Sequence, residues 1–168
     1  MAEKIHGSIP HGDGGFGPRS FFGRMFGMKK DTRRVYDLFF TDRRIIRAKI
    51  SDGISAAITG KVFVNPFAVL SHARKDLDRF KTGEHDPYKE QRENYSSMDI
   101  EQIITFDKYN RAVDYSEITK VSITLAAGGK MARFLFETEK EFHVYMFPAD
   151  YMDRAQQLVK THLSEKYQ

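Results

Sequence analysis

The sequence predicts an α+β fold, mainly β, in which a bent antiparallel sheet is capped by a C-terminal amphipathic helix. Three observations carry this. Val121, Ile123 and Leu125 alternate with Lys120, Ser122 and Thr124, the period of a half-buried strand. Gly128-Gly129 marks a hairpin, after which Ala132, Phe134 and Phe136 alternate with Arg133, Leu135 and Glu137, and Phe142, Val144 and Met146 with Glu141, His143 and Tyr145. After Pro148 the period becomes helical, with Tyr151, Ala155, Leu158, Val159, His162 and Leu163 on one side.

At 168 residues the chain is long enough for one domain with a core of its own. It has no cysteine, which removes disulfides and thiolate chemistry and fits a reducing compartment. No apolar run reaches the roughly 18 residues that span a bilayer, and the N-terminus lacks the apolar stretch of a secretory signal. The expectation is a cytoplasmic protein, or one peripheral to a membrane. The net charge of +4 is unevenly spread. Residues 1–81 hold 16 Lys and Arg against 8 Asp and Glu, or +8, while residues 82–168 hold 11 against 15, or −4. A basic N-terminal half suits phosphate, of lipid or nucleic acid.

Residues 1–18, rich in Gly, His and Pro, read as a flexible arm, and with the next segment they make up an arm over 1–30 ahead of a single domain over 31–168. Gly12, Gly14 and Gly17 carry the letters of a dinucleotide-binding pattern, but no predicted strand precedes them and Pro18 follows. In RSFFGRMFGMKK, Phe21, Phe22, Met25 and Phe26 fall with Met28 on one arc of a helix among cations, the makeup of a membrane-interface segment. The competing reading is a cover for one end of the domain, or a segment kept irregular by its two glycines.

Thr32 to Ile50 reads as a hairpin turning at Thr41-Asp42-Arg43, with Tyr36, Leu38 and Phe40 inward opposite Ile46, Ala48 and Ile50. Arg47 and Lys49 then point outward beside Arg33, Arg34, Arg43 and Arg44, and with Lys29 and Lys30 form a basic patch for an anion or lipid headgroup. The competing reading is charge that discourages edge pairing. Ser51 to Lys61 reads as loop or weak strand. An inserted helix follows Asn65-Pro66 on Phe67, Leu70, Ala73, Leu77 and Phe80, within an insertion at about 61–95 whose Lys81–Tyr95 part reads as polar loop. Ser96 and Asp99 suggest a capping box for a short helix through Ile100, Ile103 and Ile104.

The blocks LFFTDRRIIRAKI, from Leu38, and SSMDIEQIITFDKYNRAVDYSEITKVSI, from Ser96, resemble prokaryotic pleckstrin-homology-like (PH-like) domains, relatives in fold of GRAM domains. Asp107, Lys108, Asn110, Tyr115, Ser116, Ile118 and Val121 carry the resemblance. It implies a strongly bent antiparallel barrel or sandwich closed by the terminal helix. The chain departs from that pattern between Ser51 and Tyr95, where such domains often have a shorter linker. In lipid-binding members cations of the first strands hold the headgroup, which places Lys29, Lys30, Arg33, Arg34, Arg43, Arg44, Arg47 and Lys49 on comparable ground as a loose patch. Fold alone licenses no activity.

No catalytic, cofactor or metal constellation emerges. His6, His11 and Asp13 have no scaffold to make them a metal site. His143 reads as outward-facing on its strand, His162 as packed on the helix, and Glu137, Glu139 and Glu141 as solvated around a turn. The expected role is therefore a non-enzymatic module that binds an anionic membrane surface or lipid headgroup reversibly. The alternatives are a protein-interaction scaffold that self-associates into a homo-oligomer through the N-terminal arm, and nonspecific nucleic-acid binding, for which no recognised motif appears.

Overall fold

The structure is a computed structural model that describes residues 3–18, 34–51, 88–126 and 128–168. Seven strands form one antiparallel sheet: β1 (Ile5–Pro18), β2 (Val35–Thr41), β3 (Arg44–Ser51), β4 (Arg111–Asp114), β5 (Ile118–Leu125), β6 (Met131–Thr138) and β7 (Glu141–Pro148). Helices α1 (Lys89–Ser96) and α2 (Ile100–Phe106) precede β4, and α3 (Met152–Leu163) follows β7. The spatial order is β4-β3-β2-β1-β7-β6-β5.

That order forces the sheet to curl. β4 and β5 occupy opposite ends of it, yet only the single 3₁₀ turn Tyr115–Glu117 joins them. Laid flat, seven strands at about 4.8 Å spacing would separate the two ends by about 29 Å, whereas four residue steps reach at most about 14 Å. The ends must therefore approach each other, although no ladder pairs them among the described residues and the sheet stays open. An ion pair from β4 to β7, Arg111 to Glu141 at 2.9 Å, crosses the inside of the curl past three intervening strands.

β5, β6 and the terminal helix follow the sequence pattern, whereas β7 turns His143, Tyr145 and Phe147, not Phe142, Val144 and Met146, into the hollow. Gly128 and Gly129 take φ of +90° and +68°, values that glycine adopts without steric cost, and they make the β5–β6 turn. Phe134 and Phe136 from β6 and Val121 and Ile123 from β5 are buried in the hollow of the curl with Tyr36, Leu38 and Phe40. Ala155, Val159 and Leu163 of α3 close that hollow. At Gly7 of β1 an added Cβ would lie 2.9 Å from a Leu158 methyl, so the absence of a side chain there lets α3 seat against the strand.

Four expectations are corrected. First, residues 5–18 are a strand that pairs with β2 and β7 in the middle of the sheet, not part of a flexible arm. Backbone pairing on both sides supplies what its glycine-rich composition does not. Second, the β2–β3 loop is two residues long, Asp42-Arg43, which pairs Phe40 with Ile45, Leu38 with Arg47 and Tyr36 with Lys49. A three-residue loop would set the ladder off by one residue, and a one-residue slip sends every side chain of a strand to the other face. Arg47 thus turns into the hollow, only 5% exposed. Ile46 and Ala48 turn to the outer face, where Tyr95 of α1 and Ile100 and Ile103 of α2 cover them. Third, the polar run before Tyr95 contains α1, held to the sheet by Arg92, whose Nε and Nη2 donate to the buried Asp37 carboxylate at 2.7 and 3.1 Å. Fourth, His143, opposite Phe136, faces the hollow at 1% exposure, and Glu137 keeps only 8%, with Phe142 as its cross-strand neighbour.

The short helix α2 forms as expected, with a different cap. Asp99 Oδ1 accepts from the Gln102 amide at 2.8 Å and Gln102 Oε1 from the Asp99 amide at 2.9 Å, a capping box three residues later than the one expected at Ser96 and Asp99. The helix expected after Pro66 lies outside the described residues.

Candidate functional site

The structure divides the cations expected to form one patch between two ends of the sheet. At the β2–β3 turn, Arg43 Nε lies 3.1 Å and Arg44 Nη2 2.7 Å from Glu3 Oε2, and Arg44 also donates to Glu101. Those two arginines are matched by acids. Arg34, Arg47 and Lys49 lie toward the other end, where β2 begins and β3 ends. Lys29, Lys30 and Arg33, with Phe21, Phe22, Met25 and Phe26, lie outside the described residues, in the stretch that connects Pro18 to Arg34.

Tyr109 organises this second end. The Arg34 guanidinium sits 3.6 Å from its ring centroid, with the Lys108 and Lys49 ammonium groups 5.1 and 5.3 Å away. Its carbonyl accepts from Arg47 Nη2 at 3.0 Å. Cations over an aromatic face contribute about 0.5–1 kcal/mol each at exposed sites. The loop carrying Tyr109 is tied to the end of β3, past the last residue that β4 pairs. Asn110 Oδ1 accepts from the Lys49 amide at 2.7 Å, Tyr95 Oη donates to the Lys49 carbonyl at 2.6 Å, and Asn110 Nδ2 donates to the Ile103 carbonyl at 2.5 Å. Asp107 receives the Tyr109 amide at 2.9 Å and the Lys49 ammonium at 2.6 Å. The Asp-Lys-x-Asn sequence at 107–110 is therefore a backbone clamp that sets the ring and its cations in place.

Beneath the ring, Arg47 lies 4.5 Å over the Tyr36 ring, inside the hollow. Burial pushes the Tyr36 hydroxyl up to about 12 against the pull of Arg47 and Arg34, so it stays a neutral donor. Burial raises Tyr145 in the same way. His143, stacked on Phe136 at 4.4 Å and 11°, is driven down to about 3, first by burial and then by the charges of Arg111 and Arg47. Burial works against the Asp107 carboxylate, yet the Lys49 hydrogen bond and the Tyr109 amide outweigh it and hold the group below its usual value. At neutral pH this end presents five cations, Arg34, Arg47, Lys49, Lys108 and Arg111, near the carboxylates of Asp107 and Glu141.

The sequence singled out Arg34, Arg47 and Lys49 but not Lys108, Tyr109 or Arg111. Arg111 gave a signal in opening the strand after the Asp-Lys-x-Asn run, although only the curl brings it near β7. Such a cluster can attract and orient an anion through charge, guanidinium forks and tyrosine hydroxyls. Among the described residues no group of three His, Cys, Asp or Glu is placed to hold a metal ion, and no helix is long and apolar enough to cross a membrane. Comparison of the chain with protein families, curated proteins and solved structures finds no match.

Proposed function

We propose that the chain is a non-catalytic PH-like module that docks reversibly on an anionic membrane surface through the Tyr109 end of its curled sheet. The observation that carries this is the gathering of Arg34, Arg47, Lys49, Lys108 and Arg111 around Tyr109 and Tyr36, while Arg43 and Arg44 are matched by Glu3 and Glu101. At the Tyr109 end five cations stand against two carboxylates, Asp107 beside Lys49 and Glu141 beside Arg111. The stretch between Pro18 and Arg34 brings Lys29, Lys30 and Arg33 into the sequence next to that end, together with the apolar Phe21, Phe22, Met25 and Phe26. Cations near an anionic surface are worth about 1 kcal/mol each, and partial burial of phenylalanine adds an apolar contribution. The curl of the antiparallel sheet and the helix after its last strand support the PH-like reading.

Sedimentation of the full chain with vesicles containing phosphatidylserine, at physiological salt, tests the reading. Pelleting that falls steeply as salt rises is expected, and a chain that stays in the supernatant refutes it. A second reading, self-association through a sheet edge, has one observation in its favour. Among the described residues β5 pairs with β6 alone over Ser122–Leu125, and Leu125 is 56% exposed. Light scattering that reports a dimer, without vesicle binding, would favour it.

A further inference from the structure

The opposite end of the sheet holds a cluster that the docking reading does not use. The first residues of the described chain are fastened to the β2–β3 turn. The Lys4 amide donates to Asp42 Oδ2 at 2.8 Å, His6 Nε2 lies 2.5 Å from Asp42 Oδ1, and Glu3 receives Thr41 Oγ1 and the Arg43 and Arg44 guanidinium groups. The other face of the His6 ring meets α3, with its centroid 4.9 Å from that of His162. His162 is in turn stacked on Tyr115 at 5.6 Å and 26°. Two imidazoles, one of them bound to the Asp42 carboxylate, thus lie in a stack that joins the start of β1, the β2–β3 turn, the turn after β4 and the terminal helix.

We propose that His162 is a proton-operated latch: a proton on its ring releases the first residues of β1 from the β2–β3 turn and from α3. His6 can donate through Nε2 to Asp42 with one ring proton or with two, so the contact does not require a neutral ring. Among the described residues His162 has no comparable acceptor. The Tyr115 hydroxyl is committed to the Thr41 carbonyl at 2.9 Å, and the Lys166 ammonium, 2.5 Å away, binds the Tyr115 backbone carbonyl and not its ring. Glu3 is engaged by Arg43 and Arg44, and Lys4 adds another cation on the β1 side. A proton on His162 therefore meets His6, with Asp42 as the opposing acid, and Asp42 already serves His6.

The electrostatics agree in sign. Burial first, then the charge of His6, lowers His162 below its ordinary 6.5, and Asp42 opposes this only in part. A base depressed in the closed state binds its proton more tightly once released. The closed form is therefore fully favoured above pH 6.5 and loses ground as pH falls through that value toward the depressed one. Asp42, itself held low by His6 and by the Lys4 amide, stays ionised throughout this window.

The test is amide hydrogen exchange of the full chain at pH 7.5 and 5.5, each rate normalised to its intrinsic value, in the wild type and in His162→Phe, which keeps an aromatic ring on Tyr115. Protection at Ile5 to Gly7 is expected to drop severalfold at the lower pH in the wild type, with about tenfold the ceiling for one imidazole over this range, and to stay constant in the variant. Equal loss in both, or no loss in either, overturns the proposal. Should the variant fail to fold, the ring proton resonance of His162 in the wild type decides. A titration midpoint below that of a free imidazole supports the latch, and one at or above it overturns it. Vesicle binding is read separately, since the two ends share no named residue.

Discussion

Replacing His143 with phenylalanine should make the protein less sensitive to acid. In the folded chain the His143 ring is 1% exposed, lies flat on Phe136 and titrates at about 3, against 6.5 when unfolded. Between those values the unfolded chain binds a proton that the folded one does not, so the contribution is intact above pH 6.5 and declines as pH falls toward 3. At pH 5.0 the loss from this single residue is about 2 kcal/mol, and at pH 7.5 it is close to zero. Phenylalanine fills nearly the same volume and keeps the stack while removing the proton. The assay is urea unfolding at both pH values in constant salt, with stability extrapolated to water. The wild type should lose about 2 kcal/mol more than His143→Phe between the two, equivalent to a melting shift of about 4–8 °C for a chain of this size. Equal losses would mean that the unfolded chain gains no extra proton at this position, and the burial argument would fail.

Two further predictions concern the fastening of α1 and the direction of charge. Arg92→Met should cost about 3 kcal/mol by leaving the Asp37 carboxylate, 3% exposed, without its guanidinium, whereas Arg92→Met with Asp37→Leu should recover to within about 1 kcal/mol of wild type; chemical denaturation checks both, and additive losses would refute the pairing. Lys108→Gln and Arg111→Gln should each weaken binding to phosphatidylserine vesicles about fivefold, from about 1 kcal/mol per cation, while Arg43→Gln, at the end matched by Glu3, should leave it unchanged. An equal effect at all three positions would show that net charge, not the Tyr109 end, governs docking.

The legible parts of the fold were those whose faces differ in polarity. β5, β6 and α3 each bury one apolar side, and their patterns were read correctly from Val121, Ile123, Phe134, Phe136, Val159 and Leu163. β3 was misread because both of its faces are covered. Ile45 turns to the hollow and Ile46 and Ala48 to the helices, so alternation could not select a register and the loop length had to. One residue too many in that loop moved Arg47 from the hollow to solvent. β7 failed for the same reason, since Phe142 and Phe147 are both buried on successive sides and His143 could be assigned to either. β1 was illegible because its glycines carry no pattern, and α1 because its attachment is a salt bridge and one tyrosine, not an apolar stripe.

The candidate site was half legible for a related reason. Composition reveals how many cations a chain has, but only topology decides which of them meet acids. Glu3 reaches Arg43 and Arg44 because β1 lies beside β2, and Glu101 reaches Arg44 from α2. Arg111 faces Glu141 because the curl brings β4 to β7. The most informative departure is Arg47. Its cross-strand partner is Leu38, and an aliphatic residue there would suit a core of tyrosine and phenylalanine while avoiding the desolvation of a charge. The protein instead places a guanidinium against Tyr36 and keeps the neighbouring His143 neutral, at a cost in stability that grows with acid. A local rule broken in this way, at the end where four other cations converge, fits the anion-binding role proposed for that end.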